Sequence, residues 1–408
     1  MEDLFETVSV GACRLRNRIV MAPLTRARAG NDGTPTPLMS EYYAQRASAG
    51  LIVTESTHVC PRGRSHTGTP GLHRDEHALA WSHVVQAVHA REGCIFVQLN
   101  HAGRLSHPSL HPDGAWPVAP SAIAARATRL TPVGTLPAVA PRPLSIAEIQ
   151  SLIEDYRRAA ILARAAGFDG VEIHAANGHL LEQFLRNSTN HRNDAYGGSV
   201  HNRSRLLIEI AQAVASVLGA GRVGVRLAPL GCMNDCAWDS NPVTLYAHVI
   251  AHLSELGLAY VHLIEGQPQG PREVPGGFDL QILRARFNGM LIANNGYDRA
   301  LALQARRERS ADLIAFGRAY IANPDLAERL RSDAPLNTPD RDTYFEGGSR
   351  GYTDYPTLDP APPPARNGAR NTPRPRAAGA CAGAARRART NAHSARQDAM
   401  PCRSDDHA

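Results

Sequence analysis

The sequence contains no lysine, so all 44 of its basic residues are arginine. No apolar run approaches the roughly 18–20 residues of a membrane-spanning helix, and Met1-Glu2-Asp3-Leu4 is not a signal-peptide start. Seven cysteines lie far apart in 408 residues. That spacing argues against a disulfide framework and for a reduced, cytoplasmic setting. Metal centres are equally poorly provided for. Cys232 and Cys236 are spaced C-x3-C with no second pair to complete a zinc set, and the five cysteines of the body are too scattered for an iron–sulfur cluster. No acidic pair stands out for glycoside hydrolysis.

The C-terminal 361–408 stretch lacks Val, Ile, Leu, Phe, Tyr and Trp altogether. It carries nine arginines against Asp398, Asp405 and Asp406, which accounts for the whole net charge of +6 and leaves 35 arginines facing 35 carboxylates in residues 1–360. An Ala/Pro/Arg-rich segment of this kind cannot bury enough apolar surface to offset its ordering entropy, so it is expected to be a disordered tail. With no aromatic to stack on a base, its charge does not predict a nucleic-acid partner.

The body of the chain is different. Eight short, mostly continuous apolar runs alternate with helical patterns: 18–22, 50–54, 94–98, 170–174, 223–227, 259–263, 290–294 and 312–316. Runs of this type suit strands covered on both faces. Pro37 can open a helix that runs through Tyr42 to Ala49 and stops at Gly50. Ser145 and Glu148 make a capping-box pattern ahead of a helix ended by Gly167, and Leu206, Leu207, Ile210, Val214, Val217 and Leu218 form one stripe ended by Gly219. Eight strands alternating with helices predict an α/β fold, a (β/α)8 TIM barrel over 1–360, since no GxGxxG follows the first strand as an open dinucleotide-binding sheet would need. Residues 4–16 suit an N-terminal hairpin closing the barrel floor. Residues 103–145, rich in proline, read as a long excursion after strand 3, a lid or binding segment.

Barrels work at the C-terminal ends of their strands, so polar residues there are the candidates. After strands 7 and 8, Asn295-Gly296 and Gly317-Arg318 suit a phosphate, with glycines admitting backbone N–H groups and an arginine fork. Gln98 and Thr25 are neutral donor–acceptors fit for a heterocycle's edge. Arg226, inside strand 5, must meet an anionic or strongly accepting group, and Glu55 or Glu172 could serve. His174 and Asn177 could both donate to one oxygen, with His179 close by.

The motifs resemble those of the Old Yellow Enzyme family of FMN-dependent ene-reductases, its N-ethylmaleimide reductase-like members in particular. The resemblance runs from about residue 4 to 358 and rests on stretches such as 21–26 (MAPLTR), 117–121 (PVAPS), 167–174 (GFDGVEIH), 194–199 (DAYGGS), 315–318 (AFGR) and 351–356 (GYTDYP). It implies FMN as cofactor, NADPH or NADH as reductant, and electron-poor alkenes as substrates. By the same resemblance Pro23, Thr25, Gln98, Arg226, Asn295, Gly296, Gly317 and Arg318 would hold FMN, and His174 and Asn177 the substrate's oxygen. The family's usual proton-donating tyrosine falls at His179, which would replace it. A common tryptophan is Asn100, an aromatic is His66, and Tyr344-Phe345 reverses the usual order. A rebuilt substrate wall leaves two other expectations open: reduction of nitro compounds or nitrate esters, and flavin binding with weak turnover.

Deleting residues 361–408 is expected to leave fold and turnover unchanged. A truncation at Pro360 that kept flavin but lost reductase activity in a steady-state assay would contradict this.

Overall fold

A computed structural model describes residues 3–267, 272 and 279–358. The expected disordered tail, 361–408, lies outside the described residues. Eight parallel strands close on themselves in chain order: Ile19–Met21, Leu51–His58, Ile95–Asn100, Gly170–Ala175, Val223–Leu227, Tyr260–Ile264, Met290–Asn294 and Leu313–Phe316. The eighth pairs with the first through Ile314↔Ile19 and Ala315↔Val20. The (β/α)8 TIM barrel read from the sequence is therefore the fold, with every run in place.

The helices form where local signals and an apolar face coincide. Ser145 accepts a hydrogen bond from the Glu148 amide (3.3 Å) while the Glu148 carboxylate accepts one from the Ser145 amide (2.8 Å), and the helix Ile146–Ala165 follows. Helix Val200–Leu218 buries Leu206, Leu207, Ile210 and Val214, and Gly219 ends it at φ +84°. Each such buried aliphatic contributes roughly 2 kcal/mol.

One helix is shorter than its pattern. Pro37–Gln45 stops four residues before Ala49. Arg46 turns inward, donating to Tyr42 O (2.9 Å), Tyr320 O (3.0 Å) and Ile321 O (3.0 Å), with its guanidinium 3.6 Å from the Tyr42 ring centre. The chain then tightens into i→i−3 turns, and Gly50 is needed because a Cβ there would lie 2.1 Å from Asn17 O.

The predicted hairpin is present as Val8–Val10 paired antiparallel with Cys13–Leu15. Its Val10 and Leu15 are buried with Phe96, Ala259 and Tyr260 under the barrel. The excursion after strand 3 holds two short 3-10 turns, a second hairpin (Thr128–Thr131 with Gly134–Pro137) and a two-residue pairing of Val118–Ala119 with Arg142–Pro143. Among the described residues no helix is long and apolar enough to cross a membrane, and no group of side chains is arranged to hold a metal ion.

Burial gives this fold a defined acid limit. Desolvation first, and neighbouring histidines and arginines after it, hold His101 near pKa 3, His73 near 4, and His58 and His174 well below the ordinary value. The unfolded chain, with histidines near about 6.5, binds more protons below that pH, so stability is complete above it and falls as the pH drops. Each such histidine removes about 1.4 kcal/mol per pH unit below about 6.5. Urea melts should show a steep loss of midpoint between about pH 6.5 and 4; a flat profile there would contradict the buried-neutral assignment.

Candidate active site

The barrel register brings the polar residues of strands 3 to 6 side by side. Glu172 pairs with Gln98 across one ladder, and His174 with Arg226 and then His262 across the next two. Glu172 is fully buried. Its carboxylate accepts from Gln98 Nε2 (2.8 Å), Tyr260 OH (3.1 Å) and His262 Nδ1 (2.8 Å). Tyr260 reaches it by crossing strand 5 at Gly224, where a Cβ would lie 2.2 Å from the phenol ring. Burial alone would push the Glu172 carboxyl up. His262, Arg226 and Gln98 outweigh burial and leave it below the ordinary value, hence ionised.

Among the described residues Arg226 does not pair directly with a carboxylate. Its Nη2 donates to Asn294 Oδ1 (2.8 Å), and the Asn294 amide in turn donates to Ala315 O (2.9 Å), linking strands 5, 7 and 8. Burial lowers the guanidinium to about 10, against the opposing pull of Glu172 and Tyr260, so it remains a cation. Its Nε is buried without a partner, as are His174 Nδ1, Asn177 Oδ1, His179 Nδ1 and Asn100 Oδ1. Buried polar atoms are normally satisfied, so orphans gathered on strands 3 to 5 and the loop after strand 4 mark a place for a polar group from outside the chain.

The loops carrying the remaining candidates are pinned from below. Strand 2 bulges between Val53 and Ser56, and Glu55 on that bulge accepts from the amides of Arg26 and Ala27, both at 3.0 Å. That clamp positions Pro23 and Thr25, which are half-buried. After strand 4, Asn177 takes φ +58° and Gly178 +76°, a turn held by Gly178 N donating to Glu182 (2.6 Å) and by Gln183 Nε2 donating to Gly178 O (2.6 Å). The His174 and His179 rings lie with centres 4.7 Å apart and planes tilted at 56°.

At the other side, Gly296 lies at φ +66° with open space where a Cβ would sit, and Gly317 ends strand 8 just before the exposed Arg318. No ion pair of Arg318 occurs among the described residues. Asn295 is differently used: its amide donates to Glu265 O (2.5 Å) and Gln267 O (2.9 Å), bracing the loop after strand 6.

Two lining groups escaped the sequence reading. The excursion's second hairpin delivers buried Arg129, which bonds Asn234 Oδ1 (3.0 Å), while Asn234 Nδ2 donates to Asn177 O (2.9 Å). Burial first, then Arg129 and Arg226, holds His179 at about 3. His262 and Tyr260 were the second omission. Polar residues at alternating positions of an otherwise apolar strand were the signal available for them; nothing local marks Arg129.

A profile of the NADH:flavin oxidoreductase / NADH oxidase family matches residues 3–337. The chain belongs to this family. It is 41% identical to 12-oxophytodienoate reductase 7 of Oryza sativa subsp. japonica, over 87% of this chain and 94% of that protein. Among solved structures it resembles morphinone reductase in complex with tetrahydroNAD (45% identity, TM-score 0.83, covering 87% of this chain and 98% of that one). The Old Yellow Enzyme homologue from Zymomonas mobilis is similar at 42% identity and TM-score 0.84, covering 87% and 99%. The resemblance drawn from the motifs is thus supported, and the chain is an FMN-dependent ene-reductase of the Old Yellow Enzyme type that uses a nicotinamide reductant. The orphaned polar atoms beside strands 3 to 5, and the open glycine turn at Gly296 with Arg318 after strand 8, fit that cofactor's polar ring edge and phosphate.

Proposed function

We propose that the protein reduces the activated C=C bond of α,β-unsaturated carbonyl compounds, with NADPH or NADH as reductant, in alternating half-reactions. The observation that carries this reading is the pair of buried, unpartnered nitrogens, His174 Nδ1 and Arg226 Nε, at one mouth of the barrel. Five free cysteines among the described residues support a reducing, cytoplasmic location.

The chemistry that bound FMN supplies is hydride transfer, from the nicotinamide to the flavin and from the flavin to the alkene β-carbon. The protein's own residues do the rest. Gln98, fixed by Glu172, and Thr25, fixed through the Glu55 clamp, present hydrogen-bonding groups to the ring edge. Arg226 places a cation where negative charge gathers on reduction. Backbone at Gly296 and Gly317, with the Arg318 fork, takes the phosphate. Pro23 and Asn295 shape the loops at either side, Asn295 by bracing the strand 6 loop.

The imidazole N–H of His174 and the amide of Asn177 hold the substrate's carbonyl oxygen and draw electron density from the alkene. His174 does so as a neutral donor, since burial first, with His179, Arg226 and His262 beside it, keeps its pKa well below the ordinary value. His179 stands where a proton for the α-carbon is needed. An imidazole of ordinary pKa would make enone reduction fall as the pH rises past about 6.5. With its pKa held at about 3, His179 is neutral through that range and donates only through its N–H, so the step loses that dependence.

Two measurements test these roles. Arg318→Ala should weaken FMN binding by about ten- to a hundred-fold in a fluorescence titration, the worth of a charge-assisted arginine–phosphate contact; an unchanged Kd would remove Arg318 from the phosphate site. In stopped-flow traces, His179→Phe should slow flavin reoxidation by an enone while flavin reduction by NAD(P)H stays as in the wild type, and the wild-type reoxidation rate should be level between about pH 6 and 9. Unchanged reoxidation in the variant would assign protonation to solvent.

A further inference from the structure

The turn that carries Asn177 is held by side chains at three backbone groups. Gly178 N donates to Glu182 (2.6 Å), and Gly178 O accepts from Gln183 Nε2 (2.6 Å). Both partners sit on the short helix Leu180–Leu185 that follows the turn directly. The third tie comes from elsewhere: Asn177 O accepts from Asn234 Nδ2 (2.9 Å), 57 residues away on the loop after strand 5. The two backbones approach closely there. A Cβ at Gly178 would lie 2.8 Å from Met233 O and 3.0 Å from the Asn234 Cβ.

Asn234 is built to reach that carbonyl. Its backbone is left-handed, at φ +54° and ψ +41°, and Asp235 follows at φ +58°. Asparagine and aspartate tolerate that conformation better than other residues with a side chain. Arg104, from the turn after strand 3, fixes the pair by donating through Nη2 to Asn234 O (3.2 Å) and Asp235 O (2.7 Å). The side-chain amide is then set from its other end, where Oδ1 accepts from Arg129 Nη2 (3.0 Å). A guanidinium can only donate and a carbonyl can only accept, so these two partners allow the Asn234 amide one orientation.

Arg129 belongs to the excursion's second hairpin, which is itself seated on the loop after strand 2 by Thr67 N donating to Leu130 O (3.0 Å). Just before that hairpin, Arg126 pairs with the Asp235 carboxylate at 2.6 Å. The excursion therefore grips the loop after strand 5 at two adjacent residues, and one of them holds the turn bearing Asn177.

We propose that Asn234 is a positioning residue of the reductase: it sets Asn177 against the substrate's oxygen and takes its own setting from the excursion through Arg129. The inference rests on the reading of Asn177 as half of the oxygen clamp. A hydrogen bond to an oxygen that gains charge in the reaction weakens steeply with misplacement, so loosening the turn costs both binding and rate. The seating of the excursion and the grip on the substrate are then one arrangement.

The test uses the full-length, FMN-loaded protein and two ligands. Binding of 4-chlorophenol to the oxidised enzyme is followed by the change in flavin absorbance, and reoxidation of the reduced enzyme by 2-cyclohexenone by anaerobic stopped flow. Asn234→Asp keeps the size, the left-handed backbone and the acceptor for Arg129 but lacks the donor to Asn177 O; Asn234→Gly keeps the backbone alone. Both should retain FMN, weaken 4-chlorophenol binding about two- to ten-fold and slow reoxidation to a similar degree, the worth of one neutral hydrogen bond. In an Asn177→Gly background, adding Asn234→Gly should change neither quantity further, because its effect passes through the Asn177 side chain. Wild-type behaviour of Asn234→Asp would reduce Asn234 to a filler of its loop and overturn the proposal. Fully additive losses in the double variant would overturn it as well. An impaired Asn177→Gly beside unimpaired Asn234 variants would overturn this inference alone, whereas an unimpaired Asn177→Gly would remove the clamp reading and the inference with it.

Discussion

A carboxylate with no exposed surface at the centre of a barrel is a costly group, and Glu172 organises the fold around the need to satisfy it. Two strands send three donors to it: Gln98 from the third, and Tyr260 and His262 from the sixth. Strand 5 makes way for Tyr260 with a glycine, then places Arg226 two residues on, close enough for mutual electrostatic support and far enough to leave part of the guanidinium for another acceptor. Removing the carboxylate would leave a buried cation unbalanced and release the Gln98 amide. The proposed cofactor seat is therefore set from beneath, by the barrel core rather than by the loops.

The same device recurs at the rim. Glu55 gathers the amides of Arg26 and Ala27, and Glu182 gathers Gly178 N and the buried Arg186 guanidinium (2.7 Å). Each fixes one loop that carries candidate site residues. Arginine, as the chain's sole strong base, serves the complementary purpose. Arg26 reaches Gly351 O (2.7 Å) and Tyr344 O (3.0 Å), so the C-terminal segment is held against the loop after strand 1, with Tyr352 stacked on Tyr42 at 4.0 Å. A planar, multi-donor cation can collect several carbonyls at once, which an ammonium does less well.

The strands, the capping box, the hairpin and the lid-like excursion were legible because each rests on local pattern: continuous apolar runs, Ser145 with Glu148, glycine stops and clustered proline. The strand-end positions of the candidate residues were legible for the same reason once the barrel was recognised. What could not be read depends on tertiary contact. The early end of helix Pro37–Gln45 follows from where Arg46 finds its carbonyls. The approach of Arg129 to His179 follows from how a hairpin some fifty residues upstream folds over the mouth. The His179 imidazole is held well below its ordinary pKa because burial and two guanidinium groups act on it together, and neither is local in sequence.

The claim that the barrel core sets the cofactor's electrostatics can be measured in Glu172→Gln, which keeps the side chain's size and hydrogen-bonding reach but removes its charge. With the variant's fold verified by circular dichroism and FMN bound, its flavin midpoint potential should lie above that of the wild type, because Arg226 would then act on the reduced, more negative flavin without an opposing carboxylate. An unchanged or lower potential, with FMN bound as tightly as before, would contradict the central role given to Glu172.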